Sequence, residues 1–198
     1  MALINPNPQI SKPTINRTKV ADLVRELLIE LGQDADSDGL RDTPRRVADY
    51  WHEFLCYQSG TMDTTFAHDG FYQSDQMIVV KGIEVWSLCE HHLLPFTCTV
   101  AIGYIPNGKV LGLSKFGRIA HYHAHSLQIQ ERLTSDIADS IGGYTNSPDV
   151  GVYVEGVHLC MSMRGIKSPA TMITQVLRGA FIEDSATRNE FLSLVKGG

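Results

Sequence analysis

Apolar residues recur at helical spacing near the start of the chain. Six of them follow a helical repeat: Val20, Leu23, Val24, Leu27, Leu28 and Leu31. This spacing predicts an amphipathic helix, and Gly32 is well placed to end it. Thr43 and Pro44 are typical of an N-cap followed by the first helical residue. A second helix is therefore predicted from that point, with Trp51 and Leu55 on its apolar face.

Further along the chain, apolar residues alternate with small or polar ones. Residues 97–104 read TCTVAIGY, which places Cys98, Val100, Ile102 and Tyr104 on one side of the backbone. This period of two predicts a strand. By the same pattern, and from the turn residues between segments, further strands are predicted over residues 76–86, 110–113, 150–160 and 171–177.

Helical patterns separate and follow these strands. Ser114 is predicted to cap a long helical region that continues through Ile141, and Gly142 and Gly143 are predicted to break it. A short last helix is predicted from Ser185. This order of elements indicates an α+β fold in which an antiparallel sheet carries helices on one face.

The chain is predicted to form a single domain. Its length of 198 residues fits one domain or one domain with an arm. The domain spans residues 18–198, with a helical N-terminal part over 18–60 and a sheet-containing part over 75–198. Residues 1–17 are rich in Asn, Pro, Ser and Thr, so they are predicted to form a loose arm.

Composition and charge narrow the range of partners. A net charge of −5 argues against a nucleic-acid partner, since such proteins usually present a basic face. No run of about eighteen apolar residues occurs, so no membrane span is expected. The N-terminus lacks the apolar region of a signal peptide, which favours a cytoplasmic protein. In that compartment the four cysteines are expected to be thiols or metal ligands rather than disulfides.

Two short segments concentrate metal-ligating side chains. Cys89 and His92 have the spacing of a local chelate, and Cys160 can supply a third ligand. Thiolate and imidazole ligands favour zinc over magnesium or calcium, and three protein ligands leave a position for water, as in catalytic zinc sites. A closed structural site with His91 or His158 as the fourth ligand is the alternative. If the site is catalytic, either histidine could move a proton at neutral pH.

A second group of residues suggests an anionic ligand. Ser114, Lys115 and Arg118 lie where a strand gives way to a helix, and the free N–H groups of a helix start attract anions. Arg164 follows Cys160 closely. The alternative is an ordinary capped helix with solvated basic residues.

A carboxylate near the start of the next helix has two readings. The Glu131 carboxylate could accept hydrogen bonds from two N–H groups on one edge of a base, such as those at N1 and N2 of guanine. The alternative is a surface ion pair with Arg132 or a lysine.

Taken together, these segments resemble the GTP cyclohydrolase I family in order and spacing. The matching segments are residues 43–47 (TPRRV), 89–96 (CEHHLLPF), 112–115 (GLSK), 128–134 (QIQERLT), 158–161 (HLCM) and 187–192 (TRNEFL). The resemblance covers roughly residues 20–196. It implies a hydrolase that converts GTP and water to 7,8-dihydroneopterin triphosphate and formate, the first step of pterin or folate-type biosynthesis.

The resemblance also implies roles for individual residues. Cys89, His92 and Cys160 would bind Zn²⁺, which would activate water for attack at C8 of guanine. His158 would be the general acid/base, and His91 would assist proton transfer. The implied substrate contacts are Glu131 and Gln130 at the guanine, then Ser114, Lys115, Arg118, Arg164 and, as a weaker candidate, Arg46 at the triphosphate.

The implied fold is the tunnelling fold, or T-fold, with residues 75–198 as its catalytic part. Family members form a homo-oligomer, a decamer of two stacked pentamers with active sites between subunits. Two alternatives accompany this interpretation. One is a relative with the same fold that acts on another purine or pterin, although the reductase branch lacks this set of metal ligands. The other is a zinc-stabilised scaffold or binding protein without catalysis.

Overall fold

The computed structural model describes residues 12–67 and 76–197. The chain divides into two compact units, a helical unit that ends at Gln58 and a sheet unit that begins at Ser59. Most of the predicted arm, residues 1–11, lies outside the described residues. Among the helices that the structure describes, none has the length and apolar character needed to span a membrane.

The helical unit contains two helices, α1 (Arg17–Glu30) and α2 (Thr43–Leu55). The first begins three residues before the predicted Val20, because the Asn16 side chain caps it by accepting from the Lys19 amide at 3.0 Å. Gly32 follows α1 in the left-handed conformation, at φ 73°, as predicted for a helix end.

The N-cap of the second helix is Asp42 rather than the predicted Thr43. Thr43 is already the first helical residue, which moves Pro44 to the second position. Proline is tolerated there because the first N–H groups of a helix have no intrahelical partner.

The sheet unit contains seven strands and five helices within its described residues. The strands are β1 (Thr65–Ala67), β2 (Ile78–Cys89), β3 (Pro95–Tyr104), β4 (Lys109–Leu111), β5 (Leu127–Gln128), β6 (Val150–His158) and β7 (Thr171–Leu177). The helices are α3 (Leu113–Ala124), α4 (Gln130–Thr145), α5 (Leu159–Ser162), α6 (Ala180–Glu183) and α7 (Ser185–Lys196). The main sheet has the order β5-β2-β3-β6-β7 and is antiparallel except for the β5–β2 pair.

The strand predicted over residues 110–113 is β4 (Lys109–Leu111), and it does not pair with β3 across the short connection at residues 105–108. It pairs instead with β1, with Phe66 opposite Val110. Local turn residues could not indicate this pairing, because β1 lies more than forty residues earlier in the chain.

One face of the main sheet carries the larger core. Alternating residues of β3, including Val100 and Ile102, are fully buried there with Ile119 of α3 and Leu133 of α4. These β3 residues are among those that the alternating sequence pattern placed together on one side of the strand. The mixed α+β architecture is therefore confirmed.

The prediction that all helices lie on one face is wrong. Phe181 of α6 and Phe191 of α7 pack on the opposite face, against Ala101 and Tyr153. A glycine on β3 makes this possible, since a Cβ at Gly103 would lie 2.8 Å from the Phe191 ring. Small residues in a strand permit a helix to approach closely, and alternation alone does not reveal this.

The predicted long helix from Ser114 through Ile141 is two helices separated by β5. Gly112 is the N-cap of the first, and Ser114 lies inside its first turn without a capping bond. The glycines at 142 and 143 do not break α4, which continues to Thr145 and is followed by Asn146 in the left-handed conformation. Strand β5 adds to the edge of β2, a long-range pairing that the local pattern could not show.

Candidate functional site

The metal-ligating side chains converge at one edge of the sheet. Strands β2 and β6 both run antiparallel to β3, so their carboxyl ends lie together beside its beginning. Cys89 is the last residue of β2, and His92 lies in the turn that follows. Cys160 lies in α5, just after the end of β6. The prediction that a strand extends to Cys160 is wrong, because β6 ends at His158.

The ligand atoms of Cys89, His92 and Cys160 all lie within 4.8 Å of one another. Cys89 Sγ is 3.7 Å from His92 Nδ1. Burial raises the pKa of the Cys160 thiol, and the neighbouring Cys89 raises it further, because two thiolates side by side repel each other. A soft divalent cation would offset that repulsion, so the donor set fits a metal such as zinc.

Neither remaining histidine of the two segments belongs to this group of three. His91 is exposed, and its Nε2 lies 3.9 Å from Glu90 Oε1. His158 Nε2 lies 2.9 Å from Gln130 Oε1. Within the described part of the chain, the group therefore offers three protein ligands rather than the four of a closed structural site.

His158 is held by its neighbours on the sheet. Its ring stacks on the Phe96 ring, with centroids 4.4 Å apart and planes 9° apart. Burial lowers the pKa of His158, and the negative charge of Glu131 opposes that effect. The imidazole is therefore favoured in the neutral form, which can accept a proton.

The carboxylate of Glu90 forms an ion pair with Arg132. The Arg132 hydrogen bond lowers the pKa of Glu90. Arg132 also donates from Nε to Gln128 Oε1 at 2.7 Å, which fixes its guanidinium. The predicted alternative of an ion pair between Glu131 and Arg132 is therefore wrong, since Arg132 binds Glu90.

The Glu131 carboxylate makes no hydrogen bond or ion pair with another residue that the structure describes, and its charge acts on His158. Glu131 is exposed in the first turn of α4, next to Gln130. The Gln130 side chain differs sharply, because it is 1% exposed and its polar atoms contact other parts of the protein. Of these two predicted substrate contacts, only Glu131 has a carboxylate or amide open to a ligand.

The predicted triphosphate residues on α3 are partly engaged within the chain. Lys115 is 7% exposed, and its Nζ donates to the Thr61 carbonyl at 2.9 Å. Arg118 donates from NH1 to the Ser59 carbonyl at 2.8 Å. Ser114 is exposed. Residues 59–61, which precede β1, therefore supply carbonyl oxygens to both of these cationic side chains.

The two remaining predicted phosphate contacts lie in different units. Arg164 is exposed in the turn after α5, where its charge lowers the pKa of Cys160. Arg46 lies on α2 of the helical unit, with NH2 3.4 Å from Asp42 Oδ2.

Comparison with known proteins identifies the family to which the chain is similar. A sequence model described as GTP cyclohydrolase I matches residues 20–196. A protein named GTP cyclohydrolase 1 from Aquifex aeolicus is 47% identical over 184 residues, which cover 92% of this chain and 98% of the relative. One of the same name from Hyperthermus butylicus is 43% identical over 182 residues, covering 92% of each chain.

A solved apo structure of an archaeosine synthase QueF-like protein is more distant. It covers 52% of this chain at 20% identity, with a TM-score of 0.43, which is too low to carry weight for the fold. The family match and the relatives are sufficient by themselves. The chain belongs to the GTP cyclohydrolase I family of enzymes.

Proposed function

We propose that the protein converts GTP and water to 7,8-dihydroneopterin triphosphate and formate in a zinc-dependent reaction. The observation that carries this proposal is the group of two thiols and one imidazole within 4.8 Å at the sheet edge where His158 also lies. The relatives bear the name GTP cyclohydrolase 1, which supports GTP as the substrate.

Cys89, His92 and Cys160 hold the metal in this proposal. Zinc, when bound, acts as a Lewis acid and makes activated water available at neutral pH for attack at C8 of guanine. The thiols would lose their protons on binding the cation, whose charge offsets both the burial and the repulsion from Cys89 that raise the pKa of Cys160.

His158 moves the proton that opening of the imidazole ring of guanine requires. Its stacking on Phe96 fixes the plane of the ring, and its lowered pKa keeps the neutral form available near pH 7. His91 is exposed next to the metal ligand His92 and assists proton transfer from that side.

Substrate recognition divides between guanine and triphosphate. The Glu131 carboxylate, which has no protein partner among the described residues, accepts from the N1 and N2 hydrogens of guanine. Ser114, Lys115, Arg118 and Arg164, with Arg46 as a weaker candidate, bind the triphosphate. Lys115 and Arg118 would exchange their carbonyl partners at residues 59–61 for phosphate oxygens.

The larger architecture follows the family resemblance. The sheet unit adopts the T-fold, and ten chains assemble as two stacked pentamers with active sites between subunits. The protein works in the cytoplasm, without nucleic-acid or membrane partners, at the first step of pterin or folate-type biosynthesis.

Two variants and a matched control test this function. His158→Ala should retain about one zinc per chain while turnover falls by about 10²- to 10⁴-fold, the usual contribution of a positioned acid or base. Cys160→Ser should lose both zinc and turnover. Cys56→Ser is the control, because the Cys56 thiol lies in the helical unit and donates to the Pro13 carbonyl, a bond that serine can also make.

Turnover is measured with GTP as the fluorescent pterin formed after oxidation, and zinc is measured by elemental analysis of the same samples. Full turnover in His158→Ala would contradict the assigned role. A zinc-replete wild-type protein that binds GTP without forming product would instead indicate a binding protein or scaffold.

A further inference from the structure

The Gln130 side chain lies between α4, the sheet and His158. Protein groups alone account for the hydrogen bonds of its amide. We propose that Gln130 is a positioning residue that fixes the proton of neutral His158 on Nε2 and leaves Nδ1 as the proton acceptor. This inference rests on the proposed function only for the statement that His158 moves a proton. It replaces the substrate contact that the family resemblance implied for the Gln130 side chain.

The orientation of the Gln130 amide follows from its acceptors. Nε2 lies 3.2 Å from the Val154 carbonyl and 3.0 Å from the Met172 carbonyl. Carbonyl oxygens only accept, so the amide NH₂ must face β6 and β7. The amide oxygen Oε1 consequently faces the opposite way.

A hydroxyl pair supports the same orientation. Thr134 Oγ1 donates to the Gln130 backbone carbonyl at 2.7 Å, which uses its only hydrogen. Thr174 Oγ1 lies 2.7 Å from Thr134 Oγ1 and must therefore be the donor in that pair. Its oxygen is left to accept from Gln130 Nε2 at 3.1 Å. An amide oxygen at this position would face the lone pairs of Thr174 Oγ1, so the hydroxyl pair favours the NH₂ group there, whose two hydrogens are shared among the three acceptors.

The fixed amide determines the tautomer of His158. Gln130 Oε1 can only accept, and it lies 2.9 Å from His158 Nε2, so Nε2 must donate. A neutral imidazole has one N–H, which leaves the lone pair on Nδ1. His158 Nδ1 makes no hydrogen bond to another residue in the described ranges. It is the ring nitrogen with a lone pair available to accept a proton from a bound substrate.

The space for this arrangement depends on Gly156, two residues before His158 on β6. A Cβ at Gly156 would overlap Gln130 Oε1 and lie 2.9 Å from Cys98 Sγ. The Cys98 thiol is 3.8 Å from Oε1 on the same side. Stacking of His158 on Phe96 fixes the ring plane, and the hydrogen bond from Nε2 to Gln130 Oε1 distinguishes the two ring orientations that share this plane.

The direct test is the tautomer of His158 in the unmodified protein. Solid-state ¹⁵N NMR is recorded on histidine-labelled, zinc-loaded protein without GTP, at about pH 8, where an ordinary imidazole is neutral. The His158 signals are assigned by their loss in His158→Ala. We expect a protonated Nε2 and an unprotonated Nδ1. The opposite tautomer would overturn the proposal whether or not the protein turns over GTP.

A variant then separates positioning from substrate binding. Gln130→Met keeps the length of the side chain but removes the acceptor, so we expect mixed His158 tautomers and unchanged zinc content. We expect kcat to fall by about 10- to 100-fold, as for other residues that orient a catalytic group, with little change in KM for GTP. A raised KM with unchanged kcat and tautomer would show that Gln130 contacts substrate instead.

Gln128→Met is the matched control. Gln128 is also a buried glutamine, 2% exposed, but it bonds to Asp136 and Arg132 rather than to His158. We expect the His158 tautomer to be unchanged in this variant. If both variants change it equally, the effect is general disruption of α4, and the specific role of Gln130 is wrong.

Discussion

The Glu131 carboxylate has no hydrogen bond or ion pair with a neighbouring residue in the described chain. Arg132, the adjacent cation, forms its ion pair with Glu90 and a hydrogen bond with Gln128. A carboxylate without a partner costs the fold little when it is removed, and it is available to a ligand with two N–H donors. Effects on binding and on stability are therefore separable at Glu131.

We therefore expect Glu131→Gln to lower kcat/KM for GTP by about 10- to 100-fold, because a hydrogen bond to a charged group contributes about 1.5–3 kcal/mol. The free energy of unfolding should change by less than about 0.5 kcal/mol, as for surface positions without contacts. Steady-state kinetics and urea unfolding measure the two quantities. Wild-type kcat/KM in Glu131→Gln would show that this carboxylate does not bind guanine.

The sequence was informative about this site where the chemistry is local. Cys89 and His92 are three positions apart, so their spacing indicated a chelate before any fold was known. The role of Gln130 could not be predicted, because its amide is oriented by carbonyls of β6 and β7 that are distant in the chain. Long-range hydrogen bonds leave no periodic signal in a sequence.

The C-terminal helices α6 and α7 account for the clearest difference between the predicted and observed elements. Alternation along β3 correctly indicated its buried side, but it could not show that the other side is also covered near Ala101. The signal was present in Gly103, which permits an aromatic ring against the strand. A glycine in a strand has several explanations, so the contact had to be seen in the structure.

Substitution of this glycine tests the packing of α7. Gly103→Ala should destabilise the protein by about 1–3 kcal/mol, because the added methyl overlaps the Phe191 ring in a filled core. Gly117→Ala, in α3, is the matched control. A Cβ there meets nothing within 4 Å, and alanine favours the helix by about 0.5–1 kcal/mol. Equal urea midpoints for the two variants would contradict the described contact.

Asp184, the N-cap of α7, provides a second test of how a single element is stabilised. The Asp184 carboxylate accepts from the Thr187 hydroxyl and backbone N–H and from the Ala186 N–H, which together lower its pKa. A carboxylate with a lowered folded pKa stabilises the protein above its unfolded pKa, and this contribution is lost as pH falls through the folded value.

Asp184→Asn retains a capping oxygen but does not titrate. The variant should therefore be less stable than wild type at about pH 6, and the difference should shrink as pH falls below about 3.9, the ordinary pKa of aspartate. Thermal unfolding midpoints across this range provide the measurement. A difference that stays constant with pH would show that the charge of Asp184 does not contribute.

At the scale of the whole molecule, part of the main sheet has no cover within the described chain. Trp86 on β2 is 56% exposed, and Ile173 on β7 is 56% exposed. Both belong to the same face as Ala101, beyond the region that α6 and α7 cover. Exposed apolar residues on a sheet often mark an interface between chains, which agrees with the assembly proposed from the family.

The proposed assembly predicts a mass in solution. Light scattering should give about ten times the chain mass of 21.9 kDa. Trp86→Lys should reduce this mass if the exposed sheet face lies between subunits, because an unpaired charge is costly to bury. A monomer of unchanged activity would contradict active sites formed between subunits. The sequence alone could not predict this surface, since exposure depends on which strands lie side by side.

The proposed reaction opens the guanine ring of GTP at C8, so the fate of that carbon is the most direct test of the function. Zinc-loaded protein is supplied with GTP carrying ¹⁴C at C8, and labelled formate is measured together with the pterin product. We expect one labelled formate for each pterin formed, and neither product in Cys160→Ser. Label that remains in the purine, or turnover that does not release formate, would contradict the proposed reaction.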